Sequence, residues 1–181
     1  MSLIRMIVAA LLVLAVAVPA SARVEKIIVH GRSLEGNLEG NTADRTVLVL
    51  LPPSYDKAKA RHYPVVYFLH GYNSQAEGTV AWTKMEERHK AAMAATGREF
   101  IVVAPDSDTL LHGSMYSDSV TVGNFETFTA KELVRYIDSH YRTVAKRESR
   151  GLMGHSMGGY GTLRIGMKHP DVFSAIYAMN P

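Results

Sequence analysis

Gly154-His155-Ser156-Met157-Gly158 is the stretch of this chain whose residue types and spacing are best suited to chemistry. A serine with glycine two residues before and two after has the G-x-S-x-G spacing of a nucleophile elbow, a sharp strand-to-helix turn that lifts a hydroxyl above the edge of a sheet. The glycines have a mechanical reason. Such a turn brings backbone segments so close that a Cβ at Gly154 or Gly158 would stand in the way. A Gly/Ser cluster also makes ordinary turns, so the flanks matter. Residues 149–153 read as a short buried strand and residues 159–165 as a helix, which is the context the elbow requires.

The elements that must hold this serine in place can be read in chain order. Residues 24–30 and 46–51 read as two strands, with turn signals at Gly36-Asn37 and Gly40-Asn41 between them and Pro52-Pro53 as the stop, so a hairpin is expected. Residues 65–69 form a continuous apolar run, the mark of a strand buried on both faces of a mostly parallel sheet. It leads into His70-Gly71-Tyr72. By the logic of the elbow fold, one oxyanion-hole N–H comes from the loop after this strand and the other from the residue after the nucleophile. The donors here would be the backbone amides of Tyr72 and Met157, although His70-Gly71 also reads as a simple strand-ending turn.

Residues 79–95 have helical character, closed by Gly97, and Trp82 is expected to pack that helix on the sheet, a binding platform being the alternative. Residues 100–104 read as another apolar strand. Residues 106–124 lack periodicity and read as a lid or pocket wall facing substrate, with Asp106, Asp108 and Asp118 as solvated loop carboxylates, a part in the chemistry being the lesser alternative. Residues 125–141 form an amphipathic helix, with Phe128, Leu133, Val134, Tyr136 and Ile137 inward and Lys131, Glu132, Arg135 and Asp138 outward. Residues 172–179 read as a last, apolar strand at an open sheet edge, which predicts poor solubility for residues 23–181 alone.

The whole chain has 181 residues and 47% hydrophobic content, enough for one domain with a substantial core. Met1–Arg5 carries a positive charge, Met6–Val18 is unbroken apolar sequence, and Ala20-Ser21-Ala22 fits a cleavage site, so residues 1–22 read as a signal peptide cut after Ala22. The apolar run falls short of the roughly 20 residues of a membrane span, leaving a retained anchor as the lesser reading. A secreted or periplasmic location is expected. There is no Cys, so the exported protein would depend on its core alone. The formal charge of +3 is weak, and no basic cluster interleaved with aromatics suggests a nucleic acid. Nothing in the sequence calls for a metal or an organic cofactor.

Four phrases together resemble the putative esterase family of α/β-hydrolases, which includes esterase D, feruloyl and acetyl esterases and the mycolyltransferase antigens. They are residues 50–55 (LLPPSY), 63–71 (YPVVYFLHG), 125–128 (FETF) with Glu132-Leu133, and 154–161 (GHSMGGYG). The resemblance implies an α/β-hydrolase fold with helices on both faces of the sheet, and acyl transfer from a small-molecule or carbohydrate-linked ester to water. Transfer to a sugar hydroxyl, or a non-catalytic fragment, are the alternatives. Ser156 maps onto the nucleophile, and Tyr72 and Met157 onto the oxyanion amides.

One departure stands out. The triad order of this fold is serine, acid, histidine. After Ser156 the chain offers only His169 and Asp171, at the far end of the elbow helix and about 20 Å away at 1.5 Å per residue. A general base must come within about 3 Å of the proton it takes. His155 should point away from the serine, and His70 and His112 would break the chain order. The expectation is an N-terminal portion, ending after about the sixth strand, whose acid and histidine lie beyond Pro181. Alone it should be close to inactive.

Overall fold

The computed structural model describes residues 23–181. The expected signal peptide, residues 1–22, lies outside the described residues. Six strands form the main sheet. In chain order the elements are β1 (Arg23–His30), β2 (Asp44–Leu51), β3 (Val65–Leu69), α1 (Ala76–Trp82), α2 (Met85–Thr96) and β4 (Ile101–Pro105). A small hairpin of β5 (Asp118–Ser119) and β6 (Gly123–Asn124) precedes α3 (Phe125–Thr127), a π-helical stretch (Phe128–Leu133) and α4 (Val134–His140), which run on as one helical segment. Then come β7 (Arg150–His155), α5 (Met157–Lys168) and β8 (Ala175–Met179).

The sheet order is β1-β2-β4-β3-β7-β8. β2 runs against both neighbours, while β4, β3, β7 and β8 are mutually parallel. The hairpin expected from the two opening strands is therefore present, and so is the mostly parallel sheet. Period-2 alternation sorts the side chains into two cores. Val47, Val49 and Leu51, Val65, Tyr67 and Leu69, Ile101, Val103 and Leu152 face α4 and α5, packing with Phe128, Leu133, Ile137 and Ile165. Leu48, Leu50, Phe68, Val102 and Ala104 face the other way and pack with Ala76, Val80 and Met85 of α1 and α2. Helices cover both faces, as an α/β-hydrolase fold requires.

The helix expected over residues 79–95 is two helices. Lys84 adopts a left-handed backbone, φ 49°, between them. The Thr83 hydroxyl donates to the Thr79 carbonyl at 2.7 Å, a back-bond by which a β-branched polar residue closes the turn. After this break Met85, His89 and Met93 form the buried stripe of α2. The outward carboxylates expected on the long helix are also engaged. Glu132 accepts from the Ser33 amide at 3.1 Å, and Asp138 pairs with Arg150 at the start of β7.

β8 lies at the edge of the sheet, with Tyr177 63% exposed and Ile176 45% exposed. The edge expected from the sequence is therefore where it was expected, although the strand starts at Ala175 rather than 172. No helix among the described residues is long and apolar enough to cross a membrane.

Candidate active site

β7 ends at His155 and α5 begins at Met157, so Ser156 is the single residue of the turn between them. Its backbone has φ 55° and ψ −120°, a conformation that side-chain-bearing residues seldom hold without surrounding constraint. The constraint is visible. A Cβ on Gly154 would lie 2.3 Å from the Gly158 carbonyl oxygen, and one on Gly158 would lie 2.0 Å from the Leu69 carbonyl oxygen at the end of β3. Glycine at both positions is thus a condition for the turn to pack against β3. The Ser156 N–H donates to the Met179 carbonyl at 2.9 Å, fastening the elbow to β8, and the Tyr160 N–H donates to the Ser156 carbonyl at 3.0 Å.

The loop after β3 meets the elbow directly. A Cβ on Gly71 would be 3.5 Å from the Ser156 Cβ and 3.5 Å from the His155 carbonyl oxygen. Tyr72 follows Gly71 and Met157 follows Ser156, so both amides predicted as oxyanion donors flank this contact. Neither N–H donates to another described residue. Met157 also stands in the first turn of α5, where unpaired amides and the helix dipole favour negative charge.

His70 is not available as a base. Its Nε2 accepts the Ser107 N–H at 2.7 Å and its Nδ1 lies 2.8 Å from the Gly71 carbonyl oxygen, so both ring nitrogens are committed. Burial pushes its pKa below the usual histidine value, against the pull of Asp106 and Asp108, which keeps the ring neutral. The segment after β4 is likewise more than a solvated loop. Asp106 pairs with the buried Arg45 at 2.9 Å, and Arg45 also reaches the Asp106 and Asp108 carbonyls. Asp118 accepts from the Thr127 amide and hydroxyl at 2.8 and 2.7 Å, holding the start of the long helix. Asp106 is therefore structural, the Asp108 carboxylate accepts from Gln75 at 3.1 Å, and Asp118, exposed as expected, also holds the helix start. Asp106 is held in this way because β2, remote in sequence, packs Arg45 over the segment.

Tyr116 is fully buried, and sequence reasoning missed it. Its hydroxyl donates to the His70 carbonyl at 3.0 Å, and its ring lies against Gly161 of α5, where a Cβ would be 2.5 Å from the Tyr116 Cδ2. One signal was present: a large aromatic residue in a stretch rich in Ser, Asp, Thr and Gly. Trp82 corrects another expectation, since it is 76% exposed and does not pack on the sheet. The end of α1 carries it to a cavity of about 220 Å³ lined by Phe68, Tyr72, Trp82, His155 and Ser156. An apolar cavity of about 380 Å³ shares Phe68, Trp82 and His155 and extends over Met153 and Met179.

Among the described residues no general base stands at the serine. The Ser156 hydroxyl has no hydrogen-bond partner among the described residues. His169 caps the far end of α5 and lies 3.2 Å from Glu126, which also binds Arg164 and Lys168. Asp171 follows that cap and is no nearer the serine along the chain. The His155 ring sits 6.2 Å from the Trp82 ring, and the His112 ring 6.4 Å from that of Tyr72.

The model of the family described as Putative esterase matches residues 41–181. In sequence the chain is 33% identical over 134 residues to an esterase of Mycobacterium tuberculosis, covering 71% of this chain and 27% of that protein. In structure it matches a ferulic acid esterase with TM-score 0.75 and 27% identity, over 88% of this chain and 57% of the other. A ferulic acid esterase of the anaerobic fungus Anaeromyces mucronatus, solved in complex with ferulic acid, matches with TM-score 0.66 and 27% identity over 84% and 55%. The chain thus spans about a quarter of the curated relative and just over half of each solved one.

Proposed function

The chain belongs to the putative esterase family, and from that premise we propose that it carries the nucleophile and oxyanion hole of an exported serine carboxylic-ester hydrolase. The single observation behind this reading is the backbone of Ser156, held at φ 55° by glycine contacts that leave its hydroxyl unpaired beside a cavity. Strain of this kind at an unpaired hydroxyl beside a cavity is what an elbow nucleophile requires.

In the proposed reaction the Ser156 Oγ attacks the ester carbonyl carbon and its proton passes to a histidine base. The carbonyl oxygen becomes an oxyanion accepting from the Tyr72 and Met157 amides. The C–O bond to the alcohol then breaks, the alcohol takes the proton from the histidine, and an acyl-serine remains. Water attacks that acyl group by the same steps in reverse roles, releasing the acid and restoring the serine. The histidine and its acid partner lie outside residues 23–181, because none of the described candidates reaches the serine. Aromatic side chains around the cavity, together with the likeness to ferulic acid esterases, favour an ester with an aromatic acyl group.

A fluorophosphonate probe applied to the full-length enzyme tests the assignment. Mass analysis should find the label on Ser156, and Ser156→Ala should lower kcat by a factor on the order of 10⁶. Active enzyme with an unlabelled Ser156 would end this reading.

A further inference from the structure

We propose that His70 and Tyr116 are positioning residues for the oxyanion hole, fixing the two successive peptide groups that aim the Tyr72 N–H. The inference rests on the esterase reading above. Its basis is the geometry of the loop after β3.

The Tyr72 N–H and the Gly71 C=O belong to one planar peptide group, so whatever holds the carbonyl also sets the direction of the N–H. The His70 ring holds it. Because His70 Nε2 accepts the Ser107 N–H at 2.7 Å, the ring proton must sit on Nδ1, which donates to the Gly71 carbonyl at 2.8 Å. The preceding peptide is pinned as well: the His70 C=O accepts the Tyr116 hydroxyl at 3.0 Å. Gly71 stands between these two peptides, and glycine is the residue that most easily lets a peptide rotate. Without the two bonds the Tyr72 amide could turn away from the serine.

Both side chains are placed for this task. His70 is 1% exposed and Tyr116 is fully buried, so water does not compete for either bond. Tyr116 holds a left-handed backbone, φ 47°, that directs its ring between the loop and α5. There it lies against Gly161, one turn beyond the elbow. The same side chain therefore registers the helix that bears the Met157 amide against the loop that bears the Tyr72 amide. Removing an oxyanion donor outright costs about 10²- to 10³-fold in kcat, so misaiming one should cost a part of that.

The test compares four full-length enzymes: wild type, Tyr116→Phe, His70→Asn and His70→Gln. The Asn amide N–H stands near the Nδ1 position and keeps a donor for Gly71, whereas Gln reaches toward Ser107 and loses it. Rates are measured on an aryl ester and normalised to the fraction of Ser156 that takes fluorophosphonate. An aryl boronic acid, whose tetrahedral adduct places an oxygen in the hole, provides a second readout. Tyr116→Phe and His70→Gln should each lower kcat by about tenfold or more with KM within about twofold, and weaken the boronic acid in parallel; His70→Asn should stay within about threefold of wild type. If His70 served only to tie down Ser107, Gln would be the better replacement and the ranking would reverse, overturning the proposal. Unchanged kcat and boronic acid affinity in labelled Tyr116→Phe and His70→Gln would overturn it too. A wild-type Ser156 that takes no label would defeat the esterase reading and this one with it, whereas labelled variants with unchanged rates defeat this one alone.

Discussion

Ser156 has two unlike sides. Toward β3 and the segment after β4, carbonyl and amide groups are locked by glycine contacts, the His70 ring, Tyr116 and the Arg45–Asp106 pair. Toward α1 the surroundings are open: Trp82 is largely exposed and an apolar cavity runs from it over Met153 and Met179. The difference suits the proposed reaction. Stabilising an oxyanion needs backbone donors fixed in advance, since a donor that must reorganise during the reaction gives up much of its value. Admitting an acyl group needs room. The closed side is built from residues whose main chains touch, so it should tolerate almost no change, while the open side should tolerate much.

The harshest way to break that contrast is Gly158→Ala. Its Cβ would meet the Leu69 carbonyl oxygen at 2.0 Å, backbone against backbone, and the loss should be about 3 kcal/mol or more, seen as a melting temperature lowered by roughly 10 °C. A normal melt would mean that the elbow is not packed against β3 as described.

Acid should act next, again on the closed side. Burial lowers the pKa of His70 and of His89, whose Nε2–H donates to the Phe100 carbonyl at 2.7 Å. A folded-state pKa below the unfolded value of about 6.5 means that stability is whole above that pH and drains away as pH falls below it. Glu126, raised by burial but lowered further by Lys168 and His169, adds a second loss below about pH 4.5. The exposed His30, raised by Asp44 and Glu35, opposes the first trend. Melting measured from pH 7.5 to 5 should fall by roughly 5 °C, with a shallower slope in His89→Gln.

Ser156→Gly sharpens the comparison from within the elbow. Relief of the positive φ should outweigh the extra freedom of the unfolded glycine and raise stability by about 1 kcal/mol, while abolishing labelling by fluorophosphonate. Stability gained where function is lost is the signature of a strained site. The smallest effect belongs to the open side: Trp82→Ala should change stability by less than about 0.5 kcal/mol, yet raise KM for an aryl ester about fivefold. A large loss of stability would restore the packing role that the sequence suggested for this residue.

Legibility in the sequence followed the same division. Gly154, Ser156 and Gly158 were readable because the elbow is written in five consecutive residues, even though the contact that excludes a Cβ from Gly158 is made with Leu69 of β3. The strands were readable because burial on two faces writes long apolar runs into β3 and β4. Trp82 was misread, since helical spacing in the stretch around it hid the break at Lys84 that leaves it on the open side. Asp106 and Asp108 were misread because their partners, Arg45 and Gln75, come from other parts of the chain.

Residue order alone thus determined the elbow, the run of strands and the family phrases, all consequences of local backbone geometry and side-chain periodicity. The tertiary structure decided which groups meet across long intervals. Tyr116 and the His70 carbonyl are 46 residues apart, and no periodicity links them. Their bond exists because parallel strands place β3 beside β4 and β7, bringing the loops at their C-terminal ends to one corner above the sheet, where the serine stands.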